Sequence, residues 1–241
     1  MSQTRNLGKW WFLMTIPVAI TGFGAPFLIY YFGIYGWGLA MMMQALCCLE
    51  DYLTSDATSF NLQILEKNGF SRTHVIRLAV VNLLTSLIPP YLSITFLAVD
   101  VSYQWNYLIP VAIGVNLAST ELLFWLSHRY MHRHQPKLHH LHHCCIRPSH
   151  TTNLIFDPTD LFIEFGGPII SVVFLSHFFW KDPLVLLLSE SLVTGWYLLD
   201  HDEYLKFPHT IHHKFITGNY TVYLNTSSKD PYDQVKPLVV R

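Results

Sequence analysis

Residues 10–49 read WWFLMTIPVAITGFGAPFLIYYFGIYGWGLAMMMQALCCL, forty positions without Asp, Glu, Lys, Arg or His. One membrane crossing takes about twenty apolar residues, so this run is long enough for two. Gly22-Phe23-Gly24-Ala25-Pro26 interrupts it, and Tyr30, Tyr31, Tyr35 and Trp37 form an aromatic cluster suited to a membrane interface. The expected arrangement is two crossings, about 10–30 and 33–49, joined by a tight luminal turn. Trp10 and Trp11 open the first. The polar lead MSQTRNLGK is short and no cleavage site is evident, so the first span is expected to act as an uncleaved anchor.

The bulk composition agrees. The 241 residues are 51% hydrophobic and 13% charged, about half the charge of a soluble domain. The length suits one domain, residues 1–241, embedded in the membrane. A net charge of −1 offers nothing to nucleic acid. The four cysteines are two adjacent pairs, Cys47-Cys48 and Cys144-Cys145, with neither disulfide-framework nor C-x-x-C spacing. They read as buried or interfacial thiols in a reducing compartment.

Further along, residues 50–77 read as a surface helix and a turn at Asn68-Gly69. Leu78 to Val99 is a third crossing, kinked at Pro89-Pro90. Asn106 to Leu126 is the fourth and carries Glu121 near its end. Leu161 to Trp180 and Leu184 to Leu199 turn at Lys181-Asp182-Pro183 and read equally as a dipping hairpin or two spans. The fold class is therefore all-α, a polytopic bundle of four transmembrane helices plus a hairpin. Segments 1–9, 50–77, 127–160 and 200–241 hold nearly all the Lys and Arg, whereas 100–105 holds none. The positive-inside rule puts the former on the cytosolic side, and with them every histidine motif, as a cap on the bundle.

Those motifs carry the chemistry. Ser127 to Cys145, SHRYMHRHQPKLHHLHHCC, holds seven of the fourteen histidines. His128 and His132 are i and i+4; His139, His142 and His143 are i, i+3 and i+4. On a helix each set falls on one face. A second HxxHH, His209, His212 and His213, follows some seventy residues later, with His201 just upstream. Neutral imidazole is a good ligand for iron, zinc, copper and nickel. One tetrahedral zinc takes at most four ligands, so nine candidates suit two ions. Two redox-active ions at the membrane face point to O2 chemistry on a lipid, because a lipid C–H bond offers acid–base catalysis no handle. That selects iron by function. Glu121, two helical turns before His128, and Asp200 and Asp202, flanking His201, are the candidate carboxylates for the second ring N–H of a ligand. His74, His150 and His177 read as ordinary core or surface histidines, and His134 and His140 lie off the ligand spacing. A histidine-rich membrane protein that binds or transports zinc is the competing reading.

The pattern Glu121…Trp125-Leu126-Ser127-His128-Arg129-Tyr130-Met131-His132, His139-His140-Leu141-His142-His143, Asp200-His201…Phe207-Pro208 and His209-Thr210-Ile211-His212-His213…Asn219-Tyr220 resembles the fatty acid hydroxylase/sterol desaturase superfamily. These are membrane di-iron oxygenases, and the nearest branch is that of methylsterol monooxygenase and cholesterol 25-hydroxylase. The likeness covers 118–224 as a catalytic region. It implies an endoplasmic-reticulum membrane fold and two Fe ions. It also implies O2 as oxidant and electrons from NAD(P)H through cytochrome b5 or a reductase. The nine ligands would be His128, His132, His139, His142, His143, His201, His209, His212 and His213, with Asn219 nearby. The chain departs from the family in its short His132–His139 and His201–His209 connections and in Asp157-Pro158 where many members have His-Pro. The Trp-Asp-Arg that usually follows Asn-Tyr is also missing. The departures make a divergent substrate plausible, or an inactive relative that serves as a partner subunit.

Overall fold

A computed structural model of the chain describes residues 16–98, 101, 104–202, 205, 207–215 and 222. The described residues are helical, with no strand among them. Helix α1, Ile16–Thr54, is broken at Gly33. There the backbone takes φ 54°, a left-handed conformation that glycine enters without steric cost. Ala25 and Ala40, fifteen residues apart, share one buried cluster with Met41. Along a straight helix they would stand about 22 Å apart, so α1 is a hairpin of two arms. The expected turn is present.

Helix α2, Asp56–Lys67, starts at the Ser55 cap and ends at the expected Asn68-Gly69 turn. The third crossing starts earlier than expected, at Arg72, because Ser71 caps the amide of His74. It runs as α3, Arg72–Ser86, and α4, Ile88–Leu97, with the break at Leu87 ahead of the proline pair. Helix α5, Leu108–His134, runs past its apolar part and includes both His128 and His132. Short helix α6, Pro136–His143, follows. Helix α7, Pro158–Trp180, contains π-helical turns at Phe162–Gly166 and Leu175–Trp180. Helix α8 is Pro183–Leu199, and α9 is Pro208–Phe215.

Four helices, α1, α3–α4 taken together, α5 and α7, are long and apolar enough to cross a membrane, consistent with a multi-pass protein. Tyr35, Phe96, Tyr107, Phe162, Phe178 and Phe179 are exposed on its flanks, as side chains bathed in lipid would be. Of the hairpin formed by α7 and α8, only α7 is long and apolar enough to cross a membrane. α7 is 23 residues long, and α8, at 17, is buried on nearly every side against α1, α4, α5 and α7. Close approach allows this: a Cβ on Gly22 would lie 2.8 Å from Gly195 Cα, and one on Gly195 would lie 2.2 Å from the Phe23 ring. Small residues at such a crossing let backbones meet.

Polar side chains hold the connection between α6 and α7. Asp51 accepts from Thr58 Oγ1 at 2.7 Å and from Thr151 N at 2.9 Å. Asn82 donates to the carbonyls of Leu154 and Phe156. Cys144 and Cys145 are free thiols buried among Leu62, Leu65 and Leu141.

Candidate metal centre

The end of α5, all of α6, the turn after α8 and helix α9 converge, and every one of the nine candidate histidines is buried. Their ring nitrogens sort into two sets of four. In the first, His132 Nε2 lies 3.2 Å from His128 Nε2, and His212 Nε2 lies 3.0 Å from His132 Nε2 and 3.3 Å from His143 Nε2. In the second, His201 Nε2 lies 3.2 Å from His142 Nε2 and 3.1 Å from His213 Nε2, which is 3.1 Å from His209 Nε2. The sets abut: His143 and His213 stack at 4.7 Å, and the His128 and His209 rings stand 4.9 Å apart.

This geometry fits metal ions. Nitrogens bound at about 2.0–2.1 Å stand about 3.3–3.4 Å apart around a tetrahedral ion and about 2.8–3.0 Å apart at right angles. The observed spacings fall in that range, without choosing a coordination number. Hydrogen bonding is a poorer account, since a neutral imidazole carries one N–H and here four ring nitrogens face a common point. Each tetrad could hold a metal ion.

Protonation state agrees with that role. Burial, and next the neighbouring histidines, hold His142, His143, His209 and His213 well below the usual imidazole range. The rings are therefore neutral at pH 7, the form that binds metal. Asp200 accepts a short hydrogen bond from His201 Nδ1, which turns the His201 Nε2 lone pair toward the second tetrad. Burial pushes the Asp200 carboxyl up, and His201 offsets part of that rise.

The ninth histidine belongs to neither tetrad but packs against the first, its ring 4.4 Å from that of His143 and 4.9 Å from that of His128. His139 Nδ1 donates to Asp160, 2.9 Å to Oδ2 and 3.1 Å to Oδ1, and lies 3.3 Å from Glu164 Oε1. With His128 and Glu164 it forms a third group able to hold an ion. The carboxylates come from the first turns of α7, where Asp157 caps the amide of Thr159. Sequence reasoning missed Asp160. The available signal was a pair of carboxylates at i, i+4 opening an otherwise apolar helix.

Glu121 and Asp202 also make contacts outside the two tetrads. Glu121 accepts from the backbone N–H of Val222 at 3.2 Å and so ties that residue to α5. Asp202 caps Leu205 N and lies 4.0 Å from His150 Nε2. His150, read as ordinary, is partly buried beside the site, where burial lowers its pKa. His134 is exposed against Tyr130, and His140 packs between Phe70 and Cys144. Asn219 lies outside the described residues.

Aromatic rings close the centre. Phe156 stacks on His142 at 3.7 Å, and Phe124 lies 5.2 Å from the His128 ring and 5.4 Å from that of His209. Beside the second tetrad an apolar cleft opens, with His201 and His209 in its wall.

No protein-family model matches the chain, and comparison with curated proteins and with solved structures finds no match.

Proposed function

We propose that the chain is a membrane oxygenase that hydroxylates or desaturates a lipid, a sterol or an acyl chain, at a pair of irons. The observation that carries this reading is the pair of adjoining imidazole tetrads, one of them bordering an apolar cleft. His128, His132, His143 and His212 would hold one ion, with His139 as a further donor. His142, His201, His209 and His213 would hold the other. Bound iron supplies the one-electron and O2 chemistry needed at a C–H bond that no base can deprotonate.

The chain's own residues orient and enclose that centre. Asp200 and Asp160 accept the Nδ1 protons of His201 and His139, so both rings present a lone pair at Nε2. Phe124 and Phe156 cover the histidines with apolar surface and exclude water. The cleft lets an apolar body reach His201 and His209 from the bundle interior.

For hydroxylation the balance is R–H + O2 + NAD(P)H + H+ giving R–OH + H2O + NAD(P)+. One oxygen atom enters the C–H bond and the other leaves as water. The two electrons come from NAD(P)H through cytochrome b5 or a reductase. The distribution of Lys and Arg supports a cytosolic histidine cap, and the family resemblance supports the endoplasmic reticulum.

Metal analysis of the purified full chain is the test. Close to two irons per chain, with O2 uptake that needs both lipid and reductant, is the expected result. A zinc-binding or zinc-transporting protein is the second reading, because four neutral nitrogens about one point also suit a closed zinc site. Zinc in both tetrads without O2 uptake would establish it. Fewer than two metals in an intact chain would mark an inactive partner subunit. Lipid profiles of cells lacking each sterol-oxidising step, with and without this chain, would then name the substrate.

A further inference from the structure

The cleft beside His201 and His209 lies among α1, α3, α7 and α8 and holds about 580 Å³ of atom-free space, its open mouth included. Its walls are mostly apolar, and neither Lys nor Arg is among them. Some of the polar wall atoms are already engaged. Ser86 Oγ donates to the Leu83 carbonyl, Asn153 Nδ2 donates to the Tyr197 carbonyl, and Asp200 accepts from His201.

Two others are not. Gln44 Oε1 and Thr194 Oγ1 have no hydrogen-bond partner among the described residues, though the two side chains belong to residues only 5% and 2% exposed. Thr194 is unusual in this chain. Thr21, Thr54, Thr85 and Thr120 each donate their hydroxyl to the carbonyl four residues back, the ordinary habit of a helical threonine. Thr194 forgoes that bond and lines the cleft instead. Buried polar atoms without partners are rare in folded proteins and call for an explanation.

We propose that the cleft binds a neutral lipid alcohol, with Gln44 and Thr194 receiving its hydroxyl group. The ligand O–H donates to Gln44 Oε1, and the Thr194 hydroxyl donates to the ligand oxygen. A carboxylate or phosphate head is disfavoured at these two groups, because an ionised head has no O–H to donate to Gln44 Oε1 and the wall carries neither Lys nor Arg. The shared chemistry is an uncharged hydroxyl on an apolar body, whether chain or ring system. This assignment rests on reading the histidine centre as a lipid oxygenase.

The test is binding to the full chain in phosphatidylcholine nanodiscs, with 1-hexadecanol, cholesterol, hexadecane and hexadecanoate as probes. In the wild type, at least one of the two alcohols binds more tightly than hexadecane and hexadecanoate. Cholesterol ahead of 1-hexadecanol marks a ring system, and the reverse order a chain. Gln44→Leu and Thr194→Val each reduce the preference for alcohol over hexadecane by about three- to tenfold, while hexadecane binding is unchanged. Thr194→Ser, which keeps the hydroxyl, keeps the preference. Hexadecanoate binding as tightly as the alcohols, or a preference untouched in both the Leu and Val variants, overturns the proposal. Iron measured on the same samples separates the two failures. Two irons without an alcohol preference sinks this assignment alone, whereas an alcohol preference in a chain that takes no iron leaves it standing and sinks the oxygenase.

Discussion

The two histidine tetrads have the same donors and different surroundings. The one built from His128, His132, His143 and His212 is backed by His139 and the carboxylates of α7, and none of its members borders the cleft. In the one built from His142, His201, His209 and His213, two rings form part of the cleft wall. Equal ligand sets therefore do not imply equal duties. On the proposed function, the tetrad at the cleft is the one a lipid reaches, and the other is braced by a long helix and a buried acidic pair.

Removing a ligand from either side tests whether both tetrads are needed, and the expected effect is the largest. His142→Ala and His212→Ala each abolish turnover while the chain stays in the membrane, as product analysis and membrane fractionation would show. Full activity in either variant removes that residue from the centre. A smaller effect is expected one shell out. Asp200→Asn on the cleft side and Asp160→Asn on the braced side each weaken metal binding by about 10- to 100-fold, measured by competition with a chelator. Equal losses would argue that the two sides are held alike.

Phe124 touches a ring from each tetrad and is 3% exposed. Phe124→Ala costs about 3–5 kcal/mol of stability, read from unfolding in detergent, and loosens both sides together. Gly195→Ala acts on one side. Its new methyl group would collide with Phe23 and push α8, which leads into His201, away from α1. Overpacking of this kind costs about 1–3 kcal/mol, and metal loss confined to the cleft tetrad would sharpen the contrast.

The gentlest test is pH, applied to metal-free protein. His142, His143, His209 and His213 are held below the ordinary value of 6.5, chiefly by burial. Below that pH the unfolded chain takes up protons that the folded chain refuses. Stability is then complete above pH 6.5 and falls as the pH drops below it. An unfolding midpoint that does not move between about pH 8 and about pH 5.5 would mean that these rings meet water.

Much of the bundle could be read locally. An uncharged run and its glycines are enough to predict two crossings and a turn, and the turn is at Gly33. Helix ends were harder, because caps decide them: Ser71 starts α3 six residues before the apolar run begins. The role of α8 was hidden for another reason. Its composition resembles a short membrane dip, and only packing against four other helices makes it central.

What the amino-acid order alone settled was the inventory: membrane helices, and three histidine-bearing segments that follow apolar ones. His128 and His132 were placed correctly on one face because they are one turn apart on a single helix. The allocation of the remaining rings needed the folded molecule. Neighbouring residues on a helix point about 100° apart, so each HxxHH splits, with His143 and His212 entering one tetrad and His142 and His213 the other. Local spacing predicts that a side chain can bind. Which ion it shares, and which carboxylate stands behind it, depends on elements far apart in the chain that meet only when the bundle closes.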